Sequence, residues 1–207
     1  MTGLRQLQRQ RVHEAISTAA ISLFLERGFD EVPVTEIAAA AGVSKPTLFK
    51  YFPTKEDLVV HRFADHQGEA ARVVRARAAG ESPLEALRRH FLDGLARHDP
   101  VTGLNAHPEV VAFHRMVFGT PSLAARVSQY ISLDEESLAG ALAETTDDLT
   151  ASLLAGQVLA TQRVLARRNW ALLAEGRPPA EVEREAVRAA EHAFSMLSCP
   201  DSPRPSD

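Results

Sequence analysis

With 207 residues, the chain can form one large domain or two small ones, each with a real core. Its single cysteine, Cys199, excludes an intramolecular disulfide, and no apolar run approaches the roughly 20 residues a membrane helix needs. The net charge of −4 argues against a nucleic-acid partner, but residues 1–55 carry +2 (seven Lys/Arg, five Asp/Glu) and the rest carries −6.

Aromatics are few, alanine and leucine are abundant, and no alternating β-branched segment is long enough for a sheet. An all-α fold follows. Without a signal peptide the chain reads as cytoplasmic, with no membrane association. Arg5, Arg9 and Arg11 come first, as an arm able to reach a DNA backbone or simply as a solvated terminus. Val12, Ile16, Ala19, Ala20, Leu23 and Phe24 then recur at helical spacing, and Arg27-Gly28-Phe29 ends that helix.

The stretch from Thr35 to Phe52 is the most informative. It reads as two short helices joined at Gly42, where the chain reverses with the positive φ that glycine accepts. Ile37, Ala38 and Ala41 face inward, Val43 and Leu48 close the corner, and Phe52 packs behind the second helix. Ser44 caps that helix, and Pro46 falls in its first turn, where no amide partner is lost. Ser44, Lys45, Thr47, Lys50 and Tyr51 remain as donors for a duplex, although the Tyr51 ring packed on the first helix is an equal reading. An alanine-rich corner of an ordinary bundle is the plain alternative. Thr54 and Asp57 resemble a capping box for the next helix, with Lys55 in its first turn.

Residues 10–60 resemble the N-terminal domain of the TetR family of bacterial transcriptional regulators. The motifs that carry the resemblance are Leu25–Phe29, Val34–Val43 and Ser44–Leu58. It implies that Thr35, Ser44, Lys45, Thr47, Lys50, Tyr51 and Lys55 touch DNA. Phe49 departs from the family, in which a tyrosine is frequent there, and it cannot donate to a phosphate. Lys45, Lys55 and the N-terminal arginines are assigned to phosphate, Lys50 and Thr47 to base edges.

Further along, one helix is expected from Thr54 to about Gly80, with Val59, Phe63, His66, Ala70 and Val73 on a stripe. Ser82-Pro-Leu-Glu85 opens the next, and residues 99–105 form a loop. Helices follow over Pro108 to Phe118, Thr120 to Thr145, Asp147 to Glu175 and Glu181 to Leu197. That makes about nine helices: three in a helix-turn-helix DNA-binding domain (residues 1–53), then a helical effector-binding and dimerisation domain (54–199). A disordered tail (200–207) ends the chain. Asp134 or Glu135 is either a buried polar partner or the site of a break. In the helix from Asp147, Leu149, Leu153, Gly156, Ala160 and Val164 lie along one face and Leu154, Val158 and Leu165 along another, so it needs two partners. With the final helix it points to a four-helix interface between two copies, a homodimer that the resemblance also implies. A central helix of a monomeric bundle would show the same pattern.

Phe113, His114, Met116 and Phe118, with Tyr130, Gln157, Arg163 and Trp170, mix apolar bulk with polar handles and suit an effector pocket, or ordinary core. Residues 113–126 resemble regulators of fatty acyl-CoA-like effectors. The histidines lack metal-ligand spacing, and no catalytic constellation or cofactor motif is found, so the chain is not read as an enzyme. The expected function is a homodimeric repressor that binds a pseudo-palindromic double-stranded operator. A small, largely apolar effector would release it by moving the Thr54–Gly80 helix. The alternative is a helical small-molecule or metal-binding protein that does not bind DNA.

Overall fold

The computed structural model describes residues 2–64 and 66–197. Among these residues it contains ten α-helices and no strand: α1 (Thr2–Arg27), α2 (Val34–Ala40), α3 (Lys45–Tyr51), α4 (Asp57–Ala64), α5 (Glu69–Arg75), α6 (Pro83–Ala96), α7 (Pro108–Gly119), α8 (Pro121–Leu142), α9 (Asp148–Ala174) and α10 (Pro179–Leu197). A 3-10 turn at Pro100–Thr102 lies in the expected loop. Cys199 and the tail 200–207 lie outside the described residues.

Two compact units are present. One comprises the chain up to residue 66 together with 112–130; the other comprises 67–111 together with the chain from 131 onward. Asp57 and Phe63 of α4 contact Arg126 and Phe113, so α4 shares a unit with most of α7 and the start of α8.

In the first unit, Ile16, Ala20, Phe24, Phe29, Val32, Ile37, Leu48, Phe52, Leu58 and Val60 are buried and form the core of the four N-terminal helices. Each such side chain contributes about 1.5–3 kcal/mol by leaving water. The α2–α3 corner forms as expected. Gly42 has φ +66°, and the amides of Gly42 and Val43 donate to the carbonyls of Ala39 and Ala38 at 3.1 and 2.9 Å, closing α2. Arg5, Arg9 and Arg11 are not an arm ahead of α1. The helix already begins at Thr2 and carries them.

The second unit is built on Leu87, Phe91, Leu95, Leu138, Leu142, Val158, Leu165, Val182 and Phe194. Ser82 and Glu85 complete a reciprocal capping box at the start of α6. Asn169, wholly buried in α9, donates to the Thr102 carbonyl at 3.0 Å and fixes the 3-10 turn.

The single helix expected over Thr54–Gly80 is two helices, α4 and α5, and this is why ten α-helices replace nine. Gly68 takes a left-handed φ of +70° at the start of α5, a conformation that ends helical hydrogen bonding. Its amide donates to Asp134 at 2.8 Å, so Asp134 is the polar partner and α8 runs through it unbroken.

Candidate nucleic-acid interface

The reading helix α3 is two turns long and is held by its own chemistry. Ser44 accepts from the Thr47 amide at 3.2 Å, and its hydroxyl lies 2.8 Å from that of Thr47. Leu48 and Phe52 are buried beneath the helix, while Ser44, Lys45 and Lys50 are exposed and Thr47 and Tyr51 are half-buried. Thr35 is exposed on α2. Lys45 lies 5.9 Å from the Phe49 ring centroid, and neither Lys45 nor Lys50 has a carboxylate partner among the described residues. By contrast Arg27, Arg75, Arg89, Arg126, Arg168 and Arg177 all pair with acids.

Tyr51 and Lys50 line an open groove of about 360 Å³ with Gln8 and Arg9 of α1. Tyr51 therefore borders α1 and a basic surface at once. Lys55 is placed differently. Its ammonium donates to the Asp30 carbonyl at 3.3 Å and lies 4.7 Å from the Phe29 ring centroid, beneath the α1–α2 turn.

Behind α3, Phe52 packs against the rings of His13 (4.5 Å) and His61 (5.0 Å). The His61 ring bridges Ser17 (2.8 Å) and the Asp57 carbonyl (3.2 Å). Thr54 and Asp57 form the expected reciprocal cap at 3.1 and 3.2 Å. Asp57 also carries a contact that sequence reasoning missed: Arg126 reaches its Oδ1 through Nε at 2.9 Å and through the guanidinium terminus at 2.8 Å.

The residues expected to line an effector pocket fall in both units. In the first, Phe113 stacks on Phe63 (6.2 Å), His114 lies 6.1 Å from Phe118, Met116 is half-buried, and Tyr130 sits under the Arg126 guanidinium at 5.6 Å. Burial lowers the pKa of His114 and favours the neutral imidazole. In the second, Trp170 donates to the Val111 carbonyl at 3.4 Å, Arg163 is half-buried, and Gln157 is exposed on the α9 face that carries Leu153 and Val164. His90 and His98 pair with Glu69 and Glu183 at 3.2 and 3.4 Å. Among the described residues, no three metal-ligating side chains converge and no helix is long and apolar enough to cross a membrane.

A capped two-turn helix with exposed cations, seated on a buried helical head, is the architecture of a helix-turn-helix DNA reader. Residues 16–61 match the family described as bacterial regulatory proteins, tetR family. These residues carry the N-terminal DNA-binding domain of this family, and the chain is a DNA-binding transcriptional regulator. It is 29% identical over 184 residues to the HTH-type transcriptional regulator TcmR of Streptomyces glaucescens, covering 84% of this chain and 79% of TcmR. Its fold is similar to a TetR-family regulator of Streptomyces coelicolor (TM-score 0.56, 25% identity, 90% of this chain and 96% of that one). It is also similar to NalD of Pseudomonas aeruginosa, the secondary repressor of the MexAB-OprM multidrug efflux pump (TM-score 0.59, 18% identity, 89% and 96% covered).

Proposed function

We propose that the protein is a homodimeric repressor that places α3 of each protomer in a major groove of a pseudo-palindromic operator. A small, largely apolar effector then releases it. The observation that carries this reading is the pair of unneutralised lysines, Lys45 and Lys50, on a capped helix with a buried back. Residues 1–53 act as the DNA-binding domain and residues 54–199 as the effector and dimerisation part. Lys45 and Tyr51 meet phosphate, Lys50 and Thr47 meet base edges, and Thr35 and Ser44 flank them. Lys55 contributes by holding the α1–α2 turn against the segment that follows α3.

Dimerisation is supported by an apolar stripe on α9. Leu149, Leu153 and Val164 are 70, 56 and 63% exposed, while Val158 and Leu165 on the other face are buried. An exposed stripe of this kind on a helix that is otherwise core calls for a partner surface. With two readers, half-sites would lie about 34–36 Å apart or a multiple of that. NalD is a repressor, and the same role is proposed for this chain. For the effector, the ring cluster Phe63, Phe113, His114 and Phe118 offers an apolar wall with one neutral imidazole, which suits a fatty acyl-CoA-like or other mainly apolar molecule.

Release no longer follows from one rigid rod, since α4 and α5 are separate helices. Whatever the route, an effector can act only through different affinities for the DNA-competent and DNA-incompetent forms. Selection of duplexes from a random pool, with sedimentation of the free protein, tests the reading. A monomer with no preferred sequence would end it.

A further inference from the structure

The pair Asp57–Arg126 joins side chains 69 residues apart, and its acid is almost closed to solvent, with a side-chain exposure of 8%. A carboxylate so placed needs its charge met, and three donors do so. The Thr54 amide donates to Oδ2 at 3.1 Å, and two guanidinium nitrogens of Arg126 donate to Oδ1 at 2.9 and 2.8 Å. Arg126 is itself held, by a hydrogen bond to Gln129 and by the Tyr130 ring.

The position of this pair matters more than its strength. Asp57 is the first residue of α4, six residues beyond the end of α3. One turn on, His61 accepts the other side of the load. The Asp57 carbonyl can only accept, so Nδ1 of His61 carries a proton, and Nε2 pairs with the Ser17 hydroxyl of α1. Phe52, which closes α3, packs on the same His61 ring. The root of α4 is thus tied on one side to α1 and α3 and on the other, through Arg126, to α8.

We propose that Arg126 is a positioning residue for DNA reading. Its bond to Asp57 sets how the head is seated, and the α7–α8 segment acts on the reader through this bond rather than along a continuous helix. The proposal rests on the chain being a DNA-binding regulator and names the route by which that binding is regulated. Loss of the guanidinium frees the root of α4, so the head samples more orientations while α3 keeps its donors. Choice among bases is retained, and choice among half-site spacings is lost.

The test compares the wild type, R126Q and R126K on the duplex that the wild type selects and on the same duplex with one base pair inserted between the half-sites. Amide hydrogen exchange over residues 44–61 is measured in parallel. In R126Q the ratio of the two affinities should fall about tenfold, within the range that coupling between sites usually spans. Exchange over residues 44–61 should quicken while that of α9 and α10 stays unchanged. R126K, which keeps the charge without the fork, should restore part of both. A pair that only adds stability would lower the melting temperature and leave the spacing ratio alone, and that result overturns the proposal. Should R126Q not fold, R126K decides: wild-type values in both readouts are equally fatal. If the wild type selects no duplex, the DNA reading fails on its own, and unchanged exchange in R126Q then removes the latch as well.

Discussion

The ammonium of Lys55 lies 4.7 Å from the centroid of Phe29 and donates to the next carbonyl, that of Asp30. One side chain thus pins the α1–α2 turn to the segment that follows α3. Lys55→Ala removes both contacts, a loss of about 1 kcal/mol for a cation over a ring plus one hydrogen bond. Thermal unfolding should shift down by roughly 2–4 °C. DNA affinity should weaken alike for all sequences, with little change in its salt slope. A slope reduced by a full unit with no thermal shift would instead make Lys55 a direct phosphate contact.

Lys45 and Lys50 separate two roles on one helix. Lys45→Ala should weaken selected and random duplexes equally and lower the salt slope by about one. Lys50→Ala should cost about 1–3 kcal/mol on the selected duplex and much less on random DNA, relaxing the preferred sequence at one position. Binding to a panel of single-base variants at two salt concentrations checks both. Indistinguishable profiles for the two variants would contradict the assignment.

Gly103 is where the second unit tolerates least. A Cβ there would lie 1.9 Å from the Ala166 carbonyl oxygen, a backbone atom that cannot rotate away, and φ is +73°. Gly103→Ala should therefore destabilise by more than about 4 kcal/mol, in the range kept for core overpacking and strained backbone. Gly140, helical with open space around the same position, is the control, and Gly140→Ala should stabilise by about 1 kcal/mol. Urea unfolding of the two variants reads the contrast directly.

Most local features were legible because they depend on neighbours in the chain. Gly42, Ser44 and Pro46 announce the corner, Ser82 and Glu85 the cap of α6, and Thr54 and Asp57 the start of α4. The break at Gly68 was hidden. The apolar stripe runs on through it, and what stabilises the turn is Asp134, 66 residues away. The Asp57–Arg126 pair was hidden for the same reason, since charges distant in sequence carry no spacing signal. Lys55 was legible as a cation in a family motif, but not as one turned toward Phe29, which only packing decides. The α9 faces lay in between: periodicity separated the stripes, and burial showed which one stays uncovered.

Burial lowers the pKa of His114 below the ordinary imidazole value of about 6.5. Between the lowered folded value and that unfolded value, the unfolded chain binds the extra proton. Stability from this residue is therefore full above about pH 6.5 and lost as pH falls through the folded pKa. Denaturant unfolding at pH 7.5 and 5.5 should show a larger acid loss for the wild type than for His114→Leu. Equal losses would mean that the imidazole titrates freely.

The exposed stripe of α9 allows the proposed dimer to be cut without touching either core. Leu149 and Leu153 are 70 and 56% exposed, so Leu149→Glu with Leu153→Glu should leave the protomer folded and helical. Buried across a pair of protomers, however, the two carboxylates would lie unpaired in an apolar seam, which opposes association. Sedimentation should report half the mass. Affinity for the two-half-site duplex should then fall by about a hundredfold or more, because each head must bind without the effective concentration its linked partner supplies. A single half-site should be bound as well as before. If the variant still sediments as a dimer, the partner surface lies elsewhere on the molecule, and the spacing expected for the operator has to be rebuilt from that other face.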